Sequence, residues 1–160
     1  MFDELVKFFV LFFVVVEPIT AVPLSAAMTE GEDEAFRRKM ALKAVCIAGL
    51  VLFLFAVGGA AFLKVMGISI DAFRIAGGIM LFLIALEMVF ARESGTRATP
   101  EEKDEGRKRK DVSVFPLAFP FIAGPGALAI VLLTFGASRG DWALSAGLFA
   151  AVIAVLAITY

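Results

Sequence analysis

Apolar residues fall into five long windows, at 5–28, 40–63, 72–91, 112–134 and 142–160, with polar residues gathered between them. Each window approaches the about 20 residues that a helix needs to cross bilayer hydrocarbon. The pattern predicts five transmembrane helices joined by short loops, with no separate soluble domain. One stretch breaks the rhythm, RESGTRATPEEKDEGRKRKD at 92–111, dense in charge and without an aromatic residue. It reads as a flexible connector.

Two windows are interrupted from within. The first contains VEPITAVPLSAAM at 16–28 and the fourth reads VFPLAFPFIAGPGALAIVLLTF at 114–135. Laid on one another, Pro18 meets Pro120, Pro23 meets Pro125 and Ala21 meets Ala123. The same proline spacing in segments three spans apart predicts an internal repeat of three helices. An odd number of spans turns the second copy over, as in the inverted repeats of many secondary transporters. The organisation expected is a first repeat at 1–91, the connector at 92–111, and a second repeat from 112 to 160 that lacks a third helix.

Proline has no amide hydrogen, and its ring clashes with the carbonyl four residues back. The four prolines would free the carbonyls of Val14, Ile19, Pro116 and Phe121. Such groups must be covered by neighbouring helices or face a wet cavity, because lipid offers them no partner. Gly124 and Gly126 flank Pro125 and let backbone approach a ligand or another helix. Kinks that serve packing alone explain the same prolines, and both readings stay open here.

Glu17 adds a carboxylate to the first interruption. An ionisable side chain inside hydrocarbon costs about 2.5–3.5 kcal/mol even on insertion scales and by default marks function. It could carry a coupling proton. The repeat places apolar Phe119 opposite it, so such a site would be asymmetric. Thr20, Ser25 and Thr29 supply hydroxyls as solute ligands or as helix-to-helix hydrogen bonds. Ser25 and Thr29, four residues apart, share a face that leads away from Glu17.

Composition and charge sharpen the picture. The chain is 61% hydrophobic with 17 phenylalanines and a mean hydropathy of +0.92, above the roughly half-apolar makeup of soluble domains. Histidine is absent, which weighs against a zinc-dependent membrane enzyme. No metal or cofactor is expected, and the net charge of −1 gives no sign of nucleic acid. Cys46 is the only cysteine. It is expected as an inert core thiol. A small-residue run, LSAA at 24–27, faintly suggests signal cleavage, but Asp3 and Glu4 precede the only nearby cation, Lys7, opposite to a secretory leader.

Sorting Lys and Arg by side gives an orientation. Lys7, Lys64, Arg74 and Arg139 share one side. Arg37, Arg38, Lys39, Lys43, Arg92, Arg97, Lys103, Arg107, Lys108, Arg109 and Lys110 share the other. The excess predicts that the N-terminus faces outside and that residues 29–43 and 92–111 face the cytoplasm. The Arg-Lys-Arg-Lys run at 107–110 suits anionic headgroups, although positive-inside bias explains it equally. Arg74 reads as a surface pair with Asp71 or as a packed group under the broken helices. Glu87 reads as an interfacial anchor or as part of a carboxylate path with Glu17. Gly58-Gly59 and Gly77-Gly78 predict close helix contacts, and Trp142 an interfacial anchor.

The segments GISIDAFRIAGGIMLFLIALEMVF at 67–90 and DVSVFPLAFPFIAGPGALAIVLLTF from 111 resemble those of the MarC family of prokaryotic integral membrane proteins. The resemblance covers nearly the whole chain. It implies a polytopic, all-α inner-membrane protein of six spans, similar to the lysine exporter grouping of small transporters. The matching positions are Glu17, Pro18, Pro23 and Thr29; Arg74, Gly77, Gly78 and Glu87; and Pro116, Pro120, Gly124, Pro125 and Gly126. Where the family pattern has Gly-Asn after the first proline and hydrophobic residue, this chain has Thr20-Ala21. Six spans imply a helix beyond Tyr160, or a chain completed by a second copy in a homo-oligomer. The functions expected are a secondary transporter or exporter of a small polar solute or ion, with Glu17, Pro18, Thr20, Pro23, Ser25, Thr29, Pro120, Gly124, Pro125 and Gly126 at its site, or a non-transporting scaffold. A membrane-embedded enzyme is the weakest expectation.

Overall fold

The computed structural model describes residues 1–90, 111–138 and 140–160. The charged connector up to residue 110, with its 107–110 basic run, and Arg139 lie outside the described residues. Seven helical elements follow in order: α1 Phe2–Val16, α2 Pro18–Met28, α3 Glu34–Val65, α4 Ile70–Phe90, α5 Ser113–Ile122, α6 Pro125–Ala137 and α7 Trp142–Thr159. The chain is an all-α polytopic helical membrane protein. Among the described residues three helices are long and apolar enough to cross a membrane, Phe2–Met28, Glu34–Val65 and Trp142–Thr159, and the bent pair α5–α6 makes a fourth. The remaining predicted span corresponds to α4, 21 residues long, or about 31 Å.

Both interrupted windows are interrupted in the fold, at places their proline spacing did not predict. Proline disfavours helical backbone in the residue before it, and Glu17 adopts left-handed φ 50°, ψ 62°. Its amide still donates to the Phe13 carbonyl at 3.0 Å, closing α1, and Pro18 opens α2 at a position where a missing amide costs nothing. Pro23, expected to break the helix as well, lies inside α2, which runs on to Met28. In the fourth window the residues before Pro116 and Pro120, Phe115 and Phe119, are extended, and both X-Pro bonds are cis. Here α5 is a wide, irregular turn structure with bonds from the Leu117 amide to the Val112 carbonyl and from Ala123 to Ala118. After Gly124, Pro125 begins α6 with a 57° change of direction. Pro18 and Pro125 therefore do the same local job, although the spacing pairs Pro18 with Pro120.

Capping fixes the other ends. Asp33 accepts from the Phe36 amide at 2.7 Å to start α3, Ser69 from Ala72 at 3.1 Å to start α4, and Asp141 from Leu144 at 2.9 Å to start α7. Beyond α3, Gly67 at φ 70° lets the Ile68 amide reach the Leu63 carbonyl at 2.9 Å, a left-handed glycine stop.

The α5–α6 pair forms the centre, with most residues from Val112 to Phe135 buried. Around it α3 packs on both halves, α4 lies on α6, and α1 lies between α6 and α7. Since lipid removes the hydrophobic drive between helices, close packing must hold them together. Small residues provide it. The buried stripe of α3 is Met40, Ala44, Ala48, Leu52, Gly59 and Leu63, and a Cβ at Gly59 would come within 2.9 Å of Leu132 Cγ. Gly77 likewise faces Ala129, whereas Gly58 and Gly78 meet nothing within 4 Å, so each predicted glycine pair contributes one contact. Aromatic rings tie α1, α6 and α7: Phe8 meets Phe135 edge-on at 6.3 Å, and Phe135 meets Phe149 at 4.6 Å. Cys46 is exposed, not in the core, because it lies two residues from Ala44 and so points away from the buried stripe.

Candidate functional site

The two interruptions come together in space. The last turn of α1 meets the first turn of α6: a Cβ at Gly126 would lie 3.1 Å from Val15 Cγ1, 2.9 Å from Ile84 Cδ1 and 3.3 Å from Leu81 Cδ2. Gly126 thus admits α1 and α4, the helix-contact alternative of the two expected for it. Gly124 is buried, and a side chain there would run into the Pro120 carbonyl oxygen. The contact between the breaks is apolar and tight at this point.

A polar opening lies on the other side of the first break. A cleft of about 380 Å³ is lined by Ala21, Val22, Ser25, Ala26 and Thr29 of α2 and its end, by Glu34, Arg37, Arg38 and Ala41 of α3, and by Thr159 and Tyr160. It starts one turn from Glu17, whose carbonyl accepts from the Ala21 amide at 3.1 Å. It runs about 12 Å along α2 to Thr29, at 1.5 Å per residue. The face predicted from the spacing of Ser25 and Thr29 is the wall of this cleft. Thr29 is buried, and its hydroxyl donates to the Ser25 carbonyl at 2.8 Å.

Two exposed guanidinium groups flank the mouth. Arg37 Nε donates to the Thr29 carbonyl at 3.2 Å and Arg38 Nε to the Tyr160 hydroxyl at 2.8 Å. Beside them Lys43 Nζ donates to Asp111 Oδ2, and the Ser113 hydroxyl and amide donate to Oδ1. These bonds hold the Asp111 carboxyl down to about 2, the Lys43 bond first among them. Residues 29–43, Asp111 and Tyr160 thereby share one end of the bundle.

The remaining predicted residues scatter. Glu17 is half-buried between buried Val16 and Pro18, Thr20 and Pro23 are exposed, and Pro120 and Pro125 are half-buried. Arg74 Nη1 reaches Asp71 at 3.4 Å on an exposed surface, the surface-pair alternative. Glu87 is half-buried on α4 and does not line the cleft. Among the described residues no three His, Cys, Asp or Glu side chains could hold a metal ion together. In the sequence Arg37 and Arg38 read only as markers of sidedness, and Tyr160 carries no signal of its own. The Arg38 and Tyr160 pair is 122 residues apart, so no local pattern announces it.

The family model described as "MarC family integral membrane protein" matches residues 2–160. The UPF0056 membrane protein YvbG of Bacillus subtilis is 36% identical over 100% of this chain and 76% of its own length. The corresponding protein YhcE of Escherichia coli is 36% identical over 79% of this chain and 59% of its own. An Aquifex aeolicus UPF0056 membrane protein is 33% identical over 82% and 61%. The chain thus spans about three quarters of the first of these relatives and about three fifths of the other two. No solved structure matches it.

Proposed function

The chain belongs to the MarC family of integral membrane proteins, and on that premise we propose that it is a secondary transporter or exporter of a small polar solute or ion rather than an enzyme. The observation that carries the reading is Glu17, a carboxylate at left-handed backbone in an interrupted helix, one turn from a cleft open at the loop end. Backbone held in a sparsely populated region costs on the order of 1–3 kcal/mol and concentrates where function requires it. In this reading the cleft is the cytoplasmic approach of an inner-membrane protein whose N-terminus is outside. Pro23 leaves the Ile19 carbonyl without an amide four residues on, in the turn that follows Glu17. Solute passes where these groups can replace its water, and Glu17 takes or gives the coupling proton. The halves 1–91 and 112–160 act as inverted units that rock about the contact at Gly126.

The test is proton flux in proteoliposomes loaded with a pH dye and challenged with a panel of small solutes. At least one solute should drive flux through the natural protein, and Glu17→Gln should abolish it without lowering thermal stability. Solute-driven flux unchanged in Glu17→Gln would remove Glu17 from the mechanism. A second reading, a non-transporting scaffold, draws support from the dry packing at Gly126. It expects no flux with any solute and no effect of Glu17→Gln in cells.

A further inference from the structure

We infer that the cleft mouth selects a small organic anion, carboxylate or phosphate, entering from the water at the loop end. This rests on the transport reading and gives it a substrate class. Within the cleft the formal charges are Arg37 and Arg38 against Glu34, a net single positive charge. Both arginines are anchored through Nε, one to the Thr29 carbonyl and one to the Tyr160 hydroxyl. Each anchor engages the Nε edge of its guanidinium and leaves the terminal amino pair for another partner. That pair is the edge that grips two oxygens of a carboxylate or phosphate. The volume of about 380 Å³ is at the small end of ligand sites, which suits a compact acid and not a long-chain amphiphile. Glu17 completes the logic, since a univalent anion moved together with one proton carries no net charge and does not work against the membrane potential.

Tyr160 makes the mouth observable, because the chain has one tyrosine and one tryptophan. Protein grown on 3-fluorotyrosine carries a single 19F resonance at the cleft. A second sample grown on 5-fluorotryptophan places the reporter at Trp142, at the far end of α7, 18 residues or about 27 Å away. In detergent, acetate, succinate and inorganic phosphate should be titrated separately, with acetamide as the neutral analogue. At least one anion should shift the Tyr160 resonance saturably, with no shift from acetamide and none at Trp142. Arg37→Gln leaves the Arg38 bond to Tyr160 in place, so the resonance should start unchanged, and the midpoint should rise roughly tenfold for loss of one charge-assisted contact.

Absence of a shift with every anion overturns the inference. So does a shift seen only in nanodiscs enriched in phosphatidylglycerol and with no soluble anion, because the arginines would then hold a lipid headgroup. Equal response to acetamide overturns charge selection. Saturable anion binding without proton flux in the liposome assay sinks the transport reading and leaves the anion site standing. Flux without anion binding does the reverse.

Discussion

Three alanine substitutions should sort in a fixed order of stability, set by what a new methyl meets. At Gly124 it meets the Pro120 carbonyl oxygen, with the Phe121 carbonyl oxygen 3.5 Å away. Both are backbone atoms of α5, so no rotamer change relieves the clash and the α5–α6 junction must shift. Overpacking of that kind costs about 1–3 kcal/mol, and a rigid obstacle puts Gly124→Ala at about 2–3. At Gly126 the obstacles are methyl ends of Ile84, Val15 and Leu81 at 2.9, 3.1 and 3.3 Å, each on a side chain that can yield a few tenths of an ångström. That cost is offset by the roughly 0.8–1 kcal/mol by which alanine favours helix over glycine, leaving a net loss of about 1 kcal/mol or less. At Gly58 a methyl meets nothing within 4 Å, and Gly58→Ala should be neutral or stabilising by up to about 1 kcal/mol. One kcal/mol corresponds to about 2–4 °C for a chain of this size. Thermal unfolding in one detergent, followed by circular dichroism, should place Gly124→Ala about 5–10 °C below the natural protein and Gly58→Ala at or above it. A Gly124→Ala protein as stable as Gly126→Ala would mean that the bend does not rest on this contact.

Further outcomes can be measured separately. Glu17→Gly should raise stability by about 1 kcal/mol by removing a side chain from left-handed backbone, whereas Glu17→Gln should leave it unchanged; equal melting temperatures for all three would deny that Glu17 is strained. Asp111 sits well below its ordinary value of 3.8, so its stabilising contribution is complete above that pH and is lost as pH falls from about 4 through 2. With the Asp111 side chain 46% exposed, solvent screening limits that contribution to about 1 kcal/mol. Asp111→Asn should flatten the acid limb of a stability profile, and an unchanged limb would show that the Lys43 bond contributes nothing. In a Cys46→Ala background, a membrane-impermeant maleimide should label Glu30→Cys only in inverted vesicles and Met66→Cys only in right-side-out ones; the opposite pattern would reverse the proposed orientation.

The helices were legible because hydrocarbon demands unbroken apolar runs, and the two windows that carry inner prolines are the two that the fold breaks. That the first and fourth windows are broken followed from proline chemistry, which is local. Which proline breaks the chain did not follow, because Pro18 and Pro23 differ only in what surrounds them: Glu17 turns left-handed at the first, and α2 absorbs the second. The glycine pairs were half legible for a similar reason, since adjacent helical residues point about 100° apart and one of two must face outward. The wall of the cleft was legible in the spacing of Ser25 and Thr29. Its cationic mouth was not, because it depends on Tyr160, 122 residues from Arg38, and the same two arginines satisfy a topology rule that calls for nothing more.

Between Lys43 and Lys64 the third helix carries an uninterrupted run without a charged residue, from 44 to 63, close to the about 30 Å thickness of bilayer hydrocarbon. The helix as a whole has 32 residues, so its first turns stand about 9 Å beyond that boundary by Arg37. The arginine mouth therefore stands at the outer edge of the headgroup layer, where the leaflet's charge still acts on what arrives from the water. A leaflet potential of about −30 mV depletes a univalent anion roughly threefold at that level. In the proposed transport reading, the lipid composition of the host membrane thus becomes a rheostat on the protein, setting how much of the anion reaches the entrance before any helix moves.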